Sequence, residues 1–249
     1  MSKSNNILTI FNRELKSYFE SPVAYVFLIV FLVLIGAMTF MWPSFPLFER
    51  GIADMAPFFV WIPVVYLLLI PAATMGLWAE EQRSGTVELL LTMPITMVDA
   101  IIGKFLAAWA FITIALALTF PTVITVSYLG NPDLGVIFCG YIGAFLLAGC
   151  YVSVGMLTSA MTKSQVISFV LALTLSFILV MAGTPFITGA FSNWAPAWVV
   201  TLISELSFWT HFESIQRGVL EMKDITYYIG VMAFMTYATF IVIDNRKSG

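Results

Sequence analysis

Six apolar runs, each about long enough to cross a bilayer, constrain this chain more than any other feature. They lie near Pro22–Trp42, Phe58–Trp78, Ile101–Leu129, Val136–Met161, Gln165–Ile187 and Thr226–Ile243. Crossing a hydrocarbon core of about 30 Å takes about 20 helical residues. Of the 249 residues 60% are hydrophobic and only 10% charged, against about a quarter charged in soluble domains. Lipid offers no hydrogen bonds to an open backbone, so runs of this length are expected to be helices. The sequence therefore predicts an all-α membrane protein with six transmembrane helices in a single membrane domain over 1–249.

Two segments fall outside that pattern. Ile7, Leu8, Phe11, Leu15, Tyr18 and Phe19 recur at helical spacing among Asn12, Arg13, Lys16 and Ser17, which predicts an amphipathic helix over 1–21 lying in the membrane plane. Pro22 offers a break before the first of the five spans within 22–187. The stretch 191–224 holds one shorter apolar piece, Trp198–Trp209. As one helix it would cover only about 18 Å, so the stretch reads as an external re-entrant or interfacial hairpin. The last span and a tail follow over 225–249. Pro57, Pro63, Pro71 and Pro121 are expected to bend the second and third spans. Gly140, Ala144 and Ala148 give the fourth span a small-residue face for close packing.

Lys and Arg set orientation. With the N-terminus inside, Lys3, Arg13, Lys16, Arg83, Lys104, Lys163, Arg246 and Lys247 face the cytoplasm, and Arg50, Arg217 and Lys223 lie outside. Both termini are thus expected to be cytoplasmic. Trp42, Trp78, Trp194, Trp198 and Trp209 are placed near span ends, where amphipathic rings favour the interface. The polar start lacks the apolar core and cleavage site of a signal peptide and reads as retained. A net charge of −3, without a basic tract, gives no sign of nucleic acid.

Several chemistries are disfavoured. Ionisable residues are nearly absent from the middle of the spans, which argues against proton relays and ion-coupled carriers. No HExxH, paired aspartates or Ser/His pair sits at membrane depth, and the single His211 builds no zinc site. No metal or cofactor is expected. Cys139 and Cys150 lie eleven positions apart in one run, about 16 Å along a helix, too far for a disulfide. The sequence has no GxxxxGK[ST] loop, so any ATP hydrolysis belongs to a separate chain.

The densest charged patch follows the second span: Glu80-Glu81-Gln82-Arg83-Ser84-Gly85-Thr86-Val87-Glu88-Leu89-Leu90-Leu91-Thr92-Met93-Pro94. Ser84 or Thr86 is expected to cap a short helix, Gly85 to permit the turn before it, and Pro94 to end it. A charged stretch between spans is ordinarily only a solvated loop. Here its spacing (Glu-x-x-x-Gly-Thr-x-Glu-Leu-Leu-x-x-x-Pro), followed by Gly103-Lys104-Phe105-Leu106-Ala107, resembles the connection between the second and third spans of type 2 ABC (ABC-2) export permeases. That resemblance extends to the interfacial helix, six spans and hairpin. It implies a permease in a bacterial inner membrane, driven by two copies of a cytoplasmic ABC ATPase beside a second permease copy or a related membrane subunit. It further implies that 80–94 is the coupling helix. Glu80, Glu81, Arg83, Ser84, Gly85, Thr86 and Glu88 would dock on the ATPase, and Leu89 and Leu90 would anchor the helix.

His211-Phe212-Glu213-Ser214-Ile215-Gln216-Arg217-Gly218-Val219-Leu220-Glu221-Met222-Lys223-Asp224-Ile225-Thr226-Tyr227-Tyr228 is similar to a pattern in the gliding-motility branch of those permeases and in relatives linked to copper-site maturation. That branch implies a partner subunit with a large periplasmic domain. Glu213 and Arg217 stand one helical turn apart, suited to an ion pair on the outer surface. His211, Gly218 and Asp224 complete the external group, with an interfacial or a substrate-contact role. Two functions stay open: export of a substrate, or transmission of ATPase work to machinery outside the membrane.

Overall fold

The computed structural model describes residues 3–41, 54–86, 95–192 and 195–247, with side chains described from residue 6 to residue 245 within them. Helices account for the regular structure, and the described residues contain no strand. In chain order they are α1 (Lys3–Glu20), α2 (Pro22–Met41), α3 (Ala56–Thr74), α4 (Ala79–Ser84), α5 (Met97–Ala117) and α6 (Phe120–Leu129). Then come α7 (Leu134–Met161), α8 (Gln165–Met181), α9 (Pro185–Ser192), α10 (Ala197–Glu205), α11 (Phe208–Gln216) and α12 (Met222–Lys247).

Among the described residues five helical stretches have the length and apolarity to cross a bilayer: Pro22–Met41, Ala56–Ser84, Met97–Leu129, Leu134–Met161 and Met222–Asn245. The expected fifth run, Gln165–Ile187, is instead broken. Helix α8 stops at Met181 and α9 leaves at 67°, so a sixth span exists only if the bent pair counts as one. Pro185 explains the break: it lacks an N–H, and its ring would collide with the Met181 carbonyl of a continuous helix. In the third stretch Pro121 similarly interrupts the helix at Leu118–Thr119, between α5 and α6. The expected single piece Trp198–Trp209 is two helices. Ser207 separates them, accepting from the Trp209 backbone N–H (3.2 Å) and donating to the Val180 carbonyl (2.9 Å).

Helix α7 is the central post, packed against α3, α4, α5, α8, α11 and α12. Its small residues make this possible. A Cβ on Gly140 would meet the Phe59 ring at 2.5 Å, and one on Gly155 would meet Thr74 Oγ1 at 2.0 Å. Ala144 and Ala148 are fully buried between them, so the small-residue face packs within the chain. In contrast α2 and α12 turn apolar residues such as Val23, Ile29, Phe234 and Tyr237 outward, as helices solvated by lipid do.

Helix α1 runs along α5, and its body-facing edge is Ile10, Glu14 and Tyr18. Ile10 packs over Gly103, where a Cβ would lie 2.7 Å from its side chain. Tyr18 stacks on Phe111 with 4.8 Å between centroids and donates to the Ala73 carbonyl (3.1 Å). Leu8 remains exposed. The apolar stripe of α1 is therefore shared between the protein body and the surroundings.

Candidate functional site

The charged segment after α3 begins as a helix. The acidic Glu80 and Glu81 occupy the first turn of α4 and Arg83 its last, the order that a helix dipole favours. Gly85 closes α4 with φ 74° and donates its N–H to the Glu81 carbonyl, a left-handed position that glycine takes without strain. Ser84 and Thr86 turn their hydroxyls back onto α4, and the helix that one of them is expected to cap lies outside the described residues. Ser84 Oγ donates to the Glu80 carbonyl (2.9 Å), and Thr86 Oγ1 lies 3.0 Å from Ser84 Oγ. Glu88, Leu89, Leu90 and Pro94 lie outside the described residues.

One side of α4 is fastened to the bundle. The Trp78 and Ala79 backbone N–H groups both donate to Ser159 Oγ at 3.0 Å, and that hydroxyl donates to the Met75 carbonyl at 2.8 Å. Gln82 Nε2 donates to the Ala160 carbonyl (2.8 Å), and Gln165 Nε2 at the start of α8 donates to Glu80 Oε2 (2.9 Å). On the other side Lys104 Nζ of α5 lies 2.8 Å from Glu81 Oε1 and 3.3 Å from Glu14 Oε1 of α1. The same ammonium sits 5.3 Å above the centroid of a Trp78 ring. Trp78 is 1% exposed, so it is a core residue here rather than part of an interfacial belt.

Lys104 is itself 2% exposed. A buried ammonium is costly unless paired, and here two carboxylates share it. Burial pushes the Glu14 carboxyl up, but the Lys104 ammonium and Arg13, 2.6 Å from Glu14, outweigh burial and hold it below its ordinary value. Arg83, Ser84, Gly85 and Thr86 are exposed, whereas Glu81 is half-buried. The segment thus has an outward edge from Arg83 to Thr86 and an inward anchor at Glu81.

A second polar cluster lies at the opposite end of α7. His211 Nδ1 is 2.6 Å from Asp224 Oδ1, and Nε2 is 3.0 Å from the Glu205 carbonyl. Both ring nitrogens thus lie within hydrogen-bond distance of an oxygen atom. Tyr227 stacks on His211 at 3.9 Å, and its hydroxyl donates to the Leu206 carbonyl (2.5 Å). Lys223 Nζ reaches Glu205 Oε1 (2.6 Å). Arg217 and Glu213 pair on the surface, as their spacing predicts. Gly218, at φ 88°, lies against Val136 of α7. Among the described residues no group of three or more His, Cys, Asp or Glu side chains is arranged to hold a metal.

A family model described as ABC-2 family transporter protein matches residues 8–243. The chain belongs to that family. It is accordingly a multi-pass membrane permease subunit of an ABC transporter, from a family that works with an ABC ATPase and is generally non-catalytic. No curated protein matches the sequence significantly.

In this ABC-2 permease the sequence motif identifies α4 but not what holds it. Lys104, Glu14, Ser159 and Gln165 come from four other parts of the chain. Lys104 gives the one available signal, a lone cation inside the apolar run Ile101–Leu129. Glu205 was likewise a silent partner of the His211 motif, which itself contains Lys223 and Tyr227.

Proposed function

We propose that this chain carries the work of a cytoplasmic ATPase into the bilayer to export or extract a substrate, with 80–94 as the coupling segment. Arg83, Ser84, Gly85, Thr86 and Glu88 form the docking edge with Glu80 beside them. Glu81 anchors that edge to the bundle, and Leu89 and Leu90 help hold it to the membrane body. Two ATPase copies act on two permeases, this chain pairing with a second copy or with a related subunit bearing a large periplasmic domain. The setting is a bacterial inner membrane, with α1 as an interfacial elbow, both termini in the cytoplasm, and 191–224 as an external re-entrant hairpin.

The observation that supports this reading is the fastening of α4. Through Lys104, Ser159, Gln82 and Gln165 it is joined to α1, α5, α7 and α8. A displacement applied at its exposed edge is therefore delivered to four helices at once. The test is co-purification with the ATPase encoded nearby. Arg83→Glu combined with Glu88→Lys should weaken that association at least tenfold, and unchanged association would sink the docking assignment.

A second reading, in which the subunit transmits force without passing a substrate, is favoured by the polar side chains of the spans. Thr39, Thr113 and Thr236 each donate to the carbonyl four residues earlier in their own helix, so these hydroxyls are already engaged. Substrate-stimulated ATPase activity of the reconstituted complex would support export. Activity indifferent to every transported candidate, with periplasmic machinery still driven, would support transmission.

A further inference from the structure

A cleft of about 570 Å³ opens between α1, α2, α3 and α4, within the range of roughly 300–1,000 Å³ typical of small-molecule sites. Its two ends differ in chemistry. Along α2 and α3 the walls are apolar, with Val26, Phe27, Val30 and Leu69. Val23 and Val26 are exposed, so this end opens on the flank of α2, where lipid chains would lie. At the α4 end the lining includes Glu14, Glu80, Glu81 and Lys104.

With Arg13, which pairs with Glu14 from outside the lining, these groups carry three negative charges and two positive, formally −1. The one cation in the lining, Lys104, is buried and already shared by Glu14 and Glu81. Glu81 Oε2 is buried without a hydrogen-bond partner, and the exposed Glu80 accepts from Gln165 at one oxygen and keeps the other. The polar end is therefore short of positive charge. Between the two ends stand the rings of Tyr18, Phe27 and Phe111, all lining the cleft, with Tyr18 and Phe27 both packed on Phe111. Aromatic faces favour cations over anions.

We infer that this cleft binds a cationic amphiphile, its head beside Glu80 and Glu81 and its chain lying along Val26, Val30 and Leu69. An anionic amphiphile would meet three carboxylates and a lysine already shared by two of them. A neutral one would gain the apolar wall alone. The inference goes beyond the coupling role and stands without it, because binding is a property of the permease alone.

The test uses the full chain in nanodiscs of zwitterionic lipid, without ATPase. The probe is a dodecyltrimethylammonium carrying a diazirine on its chain, with dodecyl sulfate and dodecyl maltoside as competitors. Photolabelling should saturate at one site per chain and map within 23–30 of α2 or within 69–77, the end of α3 and the turn after it. Unlabelled dodecyltrimethylammonium should displace the probe at concentrations at least tenfold below either competitor. Glu80→Gln, a change at an exposed position, should weaken binding several-fold, and Ala72→Trp should block it. Equal competition by dodecyl sulfate, labelling spread over all lipid-facing helices, or unchanged binding by Glu80→Gln would overturn the inference. Unchanged ATPase association in the Arg83→Glu, Glu88→Lys variant, with cation binding intact, would count against the coupling role only.

Discussion

Lys104 and Glu81, 2.8 Å apart, join the start of α5 to the short helix α4 beyond the end of α3. The same ammonium reaches Glu14, so three separate pieces of the permease meet at one buried charge. Removing one partner of a buried pair costs about 3–5 kcal/mol. The two carboxylates are 16% and 21% exposed, and that solvent access lowers the expected loss for Lys104→Met to about 2 kcal/mol. Thermal unfolding in detergent should show it. Adding Glu14→Gln and Glu81→Gln should recover most of the loss, because no uncompensated charge then remains; a triple variant no better than the single one would refute the pairing.

The Glu14 carboxyl gives this anchor a pH dependence of definite sign. Its value in the fold lies below the ordinary 4.5, so the stabilisation is fully present above pH 4.5 and disappears as pH falls through the lowered value. Unfolding temperatures compared between pH 7 and pH 3 should fall more steeply for the wild-type chain than for Glu14→Gln. The variant should already be less stable at pH 7. Parallel curves would show that Glu14 contributes nothing through its charge.

The contrast between helix α7 and the α4 anchor explains what could be read beforehand. Long apolar runs are local signals, so five spanning stretches follow from composition alone. The small face Gly140–Ala144–Ala148 was equally legible, because close helix approach demands small side chains at helical spacing. The α4 anchor was not, since Glu14, Lys104, Ser159 and Gln165 converge only through tertiary packing. Trp78 near a span end resembles an interfacial ring in sequence, and only its neighbours make it core. The break after Met181 was written in Gly183-Thr184-Pro185, yet the apolar residues on both sides masked it. At Ser207 the cue was weaker still, because serine is tolerated inside helices as well as at their caps.

Glycine packing along α7 predicts sharply different costs for one added methyl group. Gly155→Ala would set its Cβ 2.0 Å from Thr74 Oγ1 and 2.8 Å from Thr74 Cβ, forcing α3 and α7 apart at a cost of about 1–3 kcal/mol. Thr74→Ala in the same chain removes the closest atom and should return part of that loss, a non-additivity expected of residues in contact. Gly36→Ala meets nothing within 4 Å and should be neutral or slightly stabilising, by up to about 1 kcal/mol from helix propensity. Equal melting temperatures for Gly36→Ala and Gly155→Ala would contradict the packing.

At the far end, His211 and Asp224 are both 3% exposed. His211→Ala leaves the Asp224 carboxylate buried without its partner, at a cost of about 2–3 kcal/mol. Asp224→Asn keeps an acceptor oxygen for the ring N–H and should cost less than Asp224→Ala. Limited proteolysis across 185–224 provides the readout. Cutting should accelerate most for His211→Ala and least for Asp224→Asn, and the opposite order would contradict the pairing.

The proposed sidedness of the two clusters can be checked in whole cells. Ser84 and Ser192 are both exposed, one at the α4 end of the bundle and the other at the end of α9. With a cytoplasmic ATPase acting on α4, the first must face the cytoplasm and the second the outside. Cys139 is half-buried and Cys150 buried, so replacing both by alanine gives a background for labelling. A membrane-impermeant maleimide should then react with the Ser192→Cys variant in intact spheroplasts, and with the Ser84→Cys variant only after lysis. Reaction of both from the same side would break this topology, and reaction of Ser84→Cys in intact spheroplasts would remove the proposed docking edge.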